Sequence, residues 1–215
     1  MITSIVTNGW KIDEKWLDEN SKKLDWIGVS VDSLNPETNL KLGRCVGGQT
    51  LSTSYLVRIL KKARSLGLKI KINTVVTQLN KNELLHELIS EINPEKWKVF
   101  QVLILEGEND HAKSLTVNRE EFEQFLANHQ DLIGSTEIYP EYNDDMTGSY
   151  LMIDPSGRFV DNTGGEYRYS DCILDVGVEE ALKQVAIFVE TFNRRHDTTR
   201  MERIVTRVND GPEGK

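Results

Sequence analysis

The chain has 215 residues, enough for one large domain or two small ones, with 38% hydrophobic and 28% charged residues. That balance excludes a disordered class, and no apolar run is long enough to cross a bilayer. A net charge of −8 excludes a general binder of nucleic acid or anionic membrane, so a polyanion site must be a local cation cluster.

The opening "MITSIVTNGW" has neither a basic leader nor an apolar stretch of signal-peptide length. Cys45 and Cys172 lie far apart and form no pair-spaced motif. A reduced, cytoplasmic chain without a disulfide framework is expected.

Taken in order, "TSIVTNG" reads as a strand, "DEKWLDENSKKL" as a helix and "DWIGVSVDS" as a second strand. A loop with Asn35 and Pro36 follows, then a long helical pattern, "LSTSYLVRILKKARSLGL". "KIKINTVV" is the third strand, "KNELLHELISEI" a helix and "KWKVFQVLIL" the fourth strand. Strands alternating with helices of this length predict βαβ units and a parallel sheet. Its first strand follows almost directly on Met1 and would show bare N–H and C=O groups. Either an open α/β domain or a barrel with a further part upstream is expected.

Beyond residue 110 the rhythm changes. "NREEFEQFLANHQDL" predicts a helix starting at Asn118, with Glu120 and Glu121 favoured in its first turn. "YLMIDPSGRFVDN" predicts two strands around an Asp-Pro-Ser-Gly turn, and "VEEALKQVAIFVETFN" a final amphipathic helix. The tail "VNDGPEGK" is expected to be disordered.

In parallel α/β folds, ligands bind at the carboxyl ends of the strands. Those ends carry Asn8 and Gly9, then Ser30, Asp32 and Ser33, then Asn73 and Thr74. By the two-residue period Lys71 and Asn73 share one strand face, as do Lys98 and Phe100. Strands covered on both faces should be nearly all apolar. Inward lysines on neighbouring strands therefore predict an anion site, with phosphate the natural guest, because an unpaired buried ammonium is strongly disfavoured.

Other motifs point to less. "HELIS" begins like a zinc helix, but Ser90 stands where a second histidine would be, so His86 reads as a surface residue. His111, His129 and His196 have no ligand partner at zinc spacing, and no protein metal site is expected. Adjacent Asp144 and Asp145 read as a solvated turn.

"GVSVDSLNPETNLKLGR" resembles the fourth strand and following loop of radical S-adenosylmethionine (SAM) enzymes. "KINTVV", "NPEKWKVFQVLILEGEN", "YPEYNDDMTGSYLMID" and "CILDVGVEEA", in this order, are similar to the viperin family of antiviral radical SAM enzymes, prokaryotic members included. The resemblance implies a [4Fe-4S] cluster, SAM, and a nucleoside triphosphate (CTP, GTP or UTP) converted to its 3′-deoxy-3′,4′-didehydro form. It implies that Ser30 and Arg44 contact the SAM carboxylate, with Asn8 close by. Lys71, Asn73 and Lys98 would hold the triphosphate, and Tyr150 would return a hydrogen to the substrate radical.

The implied fold is a partial parallel βα barrel with about four of six units in 1–112, a C-terminal α+β extension covering the site in 113–200, and a flexible tail in 201–215. The family's C-x3-C-x2-C motif and its Gly-Gly-Glu segment have no counterpart here, so cluster ligands are absent from these residues. A separate chain could carry them. Cys45 stands where relatives usually have glycine, and Glu166 and Tyr167 follow Gly164-Gly165 where animal members are basic, with Arg168 slightly later. Glu141 and Asn143 are candidates for reading the base, although a surface turn is the plainer expectation for both. Two other readings stand beside the enzyme: an inactive nucleotide-binding or interaction module, and a barrel aldolase with Lys71 as its Schiff-base lysine.

Overall fold

The structure is a computed structural model and describes residues 1–195. The expected tail, 201–215, and His196 lie outside the described residues. Strands β1 (Ser4–Thr7), β2 (Trp26–Ser30), β3 (Lys69–Val76), β4 (Lys96–Gln101) and β5 (Glu137–Glu141) form one sheet in that order. It is parallel throughout. Chain neighbours are sheet neighbours, as short crossovers in βαβ units require. The register aligns Val6 with Gly28 and Gly28 with Lys71, and Ser30 with Asn73.

Side-chain alternation assigns the two faces. Ile27, Val29, Ile70, Ile72, Trp97 and Val99 are buried, and burying each aliphatic side chain contributes roughly 1.5–3 kcal/mol. Helix α3 (Thr53–Ser65) packs on β3 and buries Leu56, Val57, Ile59, Leu60 and Ala63. Its Ser52 cap accepts a hydrogen bond from the Tyr55 N–H at 3.2 Å. The alternate residues Lys71, Asn73, Lys98 and Phe100 are only half-buried.

Four helices besides α3 decorate the sheet or its loops: α1 (Glu14–Asn20), α2 (Pro36–Lys41), α4 (His86–Ile92) and α5 (Arg119–Ala127). The expected start at Asn118 is a full capping box. Asn118 accepts from the Glu121 N–H at 2.8 Å, and Glu121 accepts from the Asn118 N–H at 2.9 Å.

Three local expectations need correction. The loop at Asn35 holds helix α2, because Asn35 caps the Glu37 N–H at 2.8 Å and Pro36 suits a first helical position. The helix expected from Lys81 starts only at His86. Glu83 instead accepts from the Ser33 hydroxyl at 2.7 Å and the Leu34 N–H at 3.2 Å, and Leu85 gives its N–H to His129. The fourth strand's partner β5, which contains Pro140, was not expected at all. Pro is tolerated here because β5 is the last strand of the sheet.

The described chain divides into two compact units. One holds Met1–Phe100 with Val117–Pro140 and carries the parallel sheet. The other holds Gln101–Thr116 and the chain from Glu141 on. In the second unit β6 (Leu151–Ile153), β7 (Arg158–Asp161) and β8 (Arg168–Cys172) form an antiparallel sheet in that order. The Asp154-Pro-Ser-Gly turn joins β6 to β7, with Asp154 accepting from the Ser156 N–H at 2.9 Å and the Arg158 N–H at 3.0 Å. The single final helix expected over 178–193 is instead α8 (Val178–Leu182) and α9 (Val189–Arg195), with α6 (Asn143–Met146) and α7 (Ile173–Val176) preceding them. The break has a cause: Ala186 gives its N–H to the buried Asp161 carboxylate at 3.0 Å, and Phe188 gives its N–H to Gly148 at 2.8 Å.

His129 is a core residue, 1% exposed. Its Nε2 accepts from the Leu85 N–H at 2.9 Å and its Nδ1 lies 2.8 Å from the Phe125 carbonyl, which requires the neutral Nδ1–H tautomer. His86 stacks on it at 4.7 Å and reaches Asp131 at 2.6 Å. Burial pushes the His129 pKa down to about 4, with the His86 charge adding to that and the Phe125 carbonyl and Asp131 opposing. The unfolded chain takes this proton more readily, so stability is complete above the ordinary histidine range and falls as pH drops from about 6.5 to about 4. The expected loss is on the order of 3 kcal/mol, checked by urea unfolding across that range. A His129→Gln variant should start less stable but lack this part of the slope.

Candidate functional site

The loops after β1 and β2 enclose a cavity of about 310 Å³, lined by residues that include Asn8, Ser30, Arg44, Trp10, Leu51 and Leu56. The three residues expected near SAM therefore meet at one place. Asn8 is set by its turn, where its side-chain oxygen accepts the Trp10 N–H at 3.1 Å. Gly9 there has φ +80° and could carry no side chain without meeting Leu51, Leu56 and Val29 at 3.2 to 3.4 Å. Arg44 donates from Nε to Asp32, while its own N–H is held by the Asn39 carbonyl at 2.8 Å.

The lysine face adjoins this cavity. Lys69 Nζ lies 5.4 Å and Lys96 Nζ 5.7 Å from the centre of the same Trp26 ring, so both project from the Trp26 face. Lys71 and Lys98 are each two residues further along and therefore share that face. Asn73 completes the row, and its register partner Ser30 lines the cavity. Asn73 Oδ1 is buried with no hydrogen-bond partner among the described residues. A buried polar atom left so is costly, which makes it a point where a ligand donor would be gained.

One premise is corrected. The lysines are half-buried rather than enclosed, and Lys71 and Lys98 already make contacts within the protein. Lys98 Nζ also lies 6.0 Å from the Phe100 ring centre. Their charge alone does not demand an anion.

Sequence reasoning missed Gly28. It stands opposite Lys71, and a Cβ there would come within 2.9 Å of Lys71 Cε, 3.2 Å of Val6 Cγ2 and 3.3 Å of the Ile5 carbonyl. The lysine stem thus lies across the gap that a glycine leaves in β2. Gly28→Ala is expected to lower stability by only about 1 kcal/mol, since the stem can move. It should also displace the Lys71 ammonium, so that a polyphosphate site on this face would bind about tenfold more weakly. Calorimetric titration beside thermal unfolding separates the two effects.

In the second unit Tyr150 is half-buried and its hydroxyl donates to Glu141 Oε2 at 3.2 Å. Glu141 is 1% exposed, and Asn143 Oδ1 is buried without a hydrogen-bond partner. The surface turn expected for both is thus overturned, and Asp145 is buried as well. Polar residues at or after a strand end read as a turn because burial from the rest of the fold leaves no local mark. Arg168 opens β8 opposite Asp161.

A profile of the radical SAM superfamily matches residues 1–92. An S-adenosylmethionine-dependent nucleotide dehydratase from Lacinutrix mariniflava is 43% identical over 197 residues, 91% of this chain. Another, from Flammeovirga pacifica, is 39% identical over 193 residues, 89% of this chain. The chain belongs to the viperin-like radical SAM family.

It spans 41% and 66% of those two relatives' lengths. Among solved structures, anSMEcpe with bound AdoMet aligns with a TM-score of 0.62 at 15% identity, over 97% of this chain and 76% of that one. Streptococcus suis SuiB bound to S-adenosylmethionine aligns at 0.51 and 15% identity, over 74% and 42%. At that identity the likeness shows the fold alone: α/β, consistent with a partial parallel barrel, the chain also holding a small antiparallel sheet.

The residues present fit SAM. The Nη groups of Arg44 make no hydrogen bond among the described residues, and they suit a carboxylate. Ser30 and Asn8 line the same cavity beside apolar Trp10, Leu51 and Leu56. They do not fit an iron–sulfur cluster. Such a cluster takes cysteine thiolates, the two cysteines belong to different units, and no three potential ligands converge among the described residues. Among these residues, too, no helix is long and apolar enough to cross a membrane.

Proposed function

We propose that this chain supplies the polyphosphate site and part of the SAM site of a nucleotide dehydratase acting on a nucleoside triphosphate. The observation that carries this reading is the shared sheet face of Lys71, Asn73 and Lys98, joined through the Ser30–Asn73 register pair to the cavity of Asn8 and Arg44. Lys71 and Lys98 are the cations for the phosphates, Asn73 a neutral hydrogen-bonding partner. In the second unit Tyr150 is the hydrogen donor to the nucleotide radical, oriented by Glu141. The named activity of the relatives, nucleotide dehydration dependent on SAM, is the source of the reaction class.

In this reading the cluster's thiolates come from a segment joined to this chain or from a partner, which the lack of three converging ligands among the described residues supports. The reaction is therefore tested by adding a segment with the three-cysteine motif to the 215-residue chain under reducing, anaerobic conditions. Formation of 5′-deoxyadenosine and a dehydrated nucleotide only in the mixture is the expected result. Reductive SAM cleavage by the chain alone would overturn the division of labour. Nucleotide binding with no activity in any mixture would leave a binding module.

A further inference from the structure

Asp32 is a buried carboxylate with no assigned task. It is 4% exposed and both its oxygens are used: Oδ1 accepts the Val75 N–H at 2.8 Å and Oδ2 accepts from Arg44 Nε. Its backbone carbonyl is gripped as well, by Asn80 Nδ2 at 2.6 Å. Asn80 is itself locked, donating to the Val75 carbonyl at 2.9 Å and accepting from the Thr77 N–H at 2.7 Å and hydroxyl at 2.9 Å. The Asp32 carboxylate therefore has a single orientation, fixed from strand β3 and two loops.

Arg44 is the more exposed partner of this pair. Its side chain is 35% exposed, and only Nε is engaged by the protein. A guanidinium held by Nε keeps the edge formed by its two Nη groups, the edge that binds a carboxylate in bidentate fashion. A long, rotamer-rich side chain left unheld would lose that preorganisation and the affinity that goes with it.

We propose that Asp32 is a positioning residue for the SAM site, holding Arg44 so that its Nη edge meets the carboxylate of the ligand's amino-acid end. This rests on reading the cavity as the SAM site. A structural staple alone would also be buried and bonded, so the test must separate aiming Arg44 from holding the loop.

The test titrates the 215-residue chain with SAM and with decarboxylated SAM, which differs by the carboxylate only. The wild-type chain should prefer SAM by about tenfold or more, the scale of a charge-assisted bidentate pair. Asp32→Asn keeps an acceptor for Val75 but turns an amide donor toward Arg44. Its affinity for SAM should fall to that for the decarboxylated ligand, which should itself be unchanged. If Asp32→Asn fails to fold by circular dichroism, Asp32→Glu keeps the charge, shifts Arg44 by one methylene and should likewise reduce the preference. A variant that keeps the full preference, or loses both ligands equally, overturns the inference while the SAM reading stands. A wild-type chain without preference overturns both.

Discussion

Lys71→Ala and Lys98→Ala should each weaken nucleoside triphosphate binding about 10- to 100-fold, with SAM affinity nearly unchanged. That range follows from the roughly 1.5–3 kcal/mol carried by a hydrogen bond to a charged group. The selectivity follows from geometry, because neither lysine lines the cavity of Asn8, Ser30 and Arg44. Both face the same way from adjacent strands, so they would serve one anion, and the double variant should lose less than the product of the single effects. Rising salt should weaken the wild type more than either variant, since fewer charges remain to be screened. A control separates charge from packing. Lys71→Met keeps a stem across Gly28 and should behave like Lys71→Ala in binding but more like the wild type in stability.

The second large effect belongs to Tyr150. Removing one oxygen, as in Tyr150→Phe, should leave both ligands' affinities within about twofold and lower turnover of the assembled enzyme about 100-fold or more, the scale of a positioned hydrogen donor. An effect on turnover without one on binding marks a group used only during the reaction. The cost to stability should be small, about 1 kcal/mol, because Glu141 has contacts besides the 3.2 Å hydrogen bond from Tyr150. Product assays on the complemented enzyme check the first expectation, and thermal unfolding the second. Unchanged turnover would remove Tyr150 from the reaction.

What could be read from the sequence was what is local and periodic. "KIKINTVV" announces β3 and its two faces, Asn118 with Glu121 announces α5, and the Asp-Pro-Ser-Gly turn announces the β6–β7 hairpin. The family resemblance singled out Asn8, Ser30 and Arg44, the last two in the radical SAM-like segment, and all three line one cavity. What could not be read depends on partners far along the chain. Ala186 leaves its helical pattern because Asp161, 25 residues earlier, takes its N–H. Glu141 and Asp145 look solvated but are buried. Asp32 reads as one more polar residue at a strand end until Val75 and Arg44 close on its two oxygens, at separations of 43 and 12 residues.

The lysine face shows the same limit. Periodicity put Lys71 and Lys98 on one face correctly, yet the premise of unpaired buried charge does not hold, because both are half-buried and already engaged. The better support is Gly28, a glycine in mid-strand whose missing side chain leaves the space that the Lys71 stem crosses. Gly28 could have been singled out in "DWIGVSVDS" as a strand glycine marking a close approach.

The most direct test is an affinity series with one nucleoside and its mono-, di- and triphosphate, titrated into the 215-residue chain with SAM present. Affinity should climb with each added phosphate, and the climb should flatten in the Lys71→Ala/Lys98→Ala double variant. An equal affinity for nucleoside and triphosphate, or a climb untouched by the double substitution, would contradict a polyphosphate site on this face.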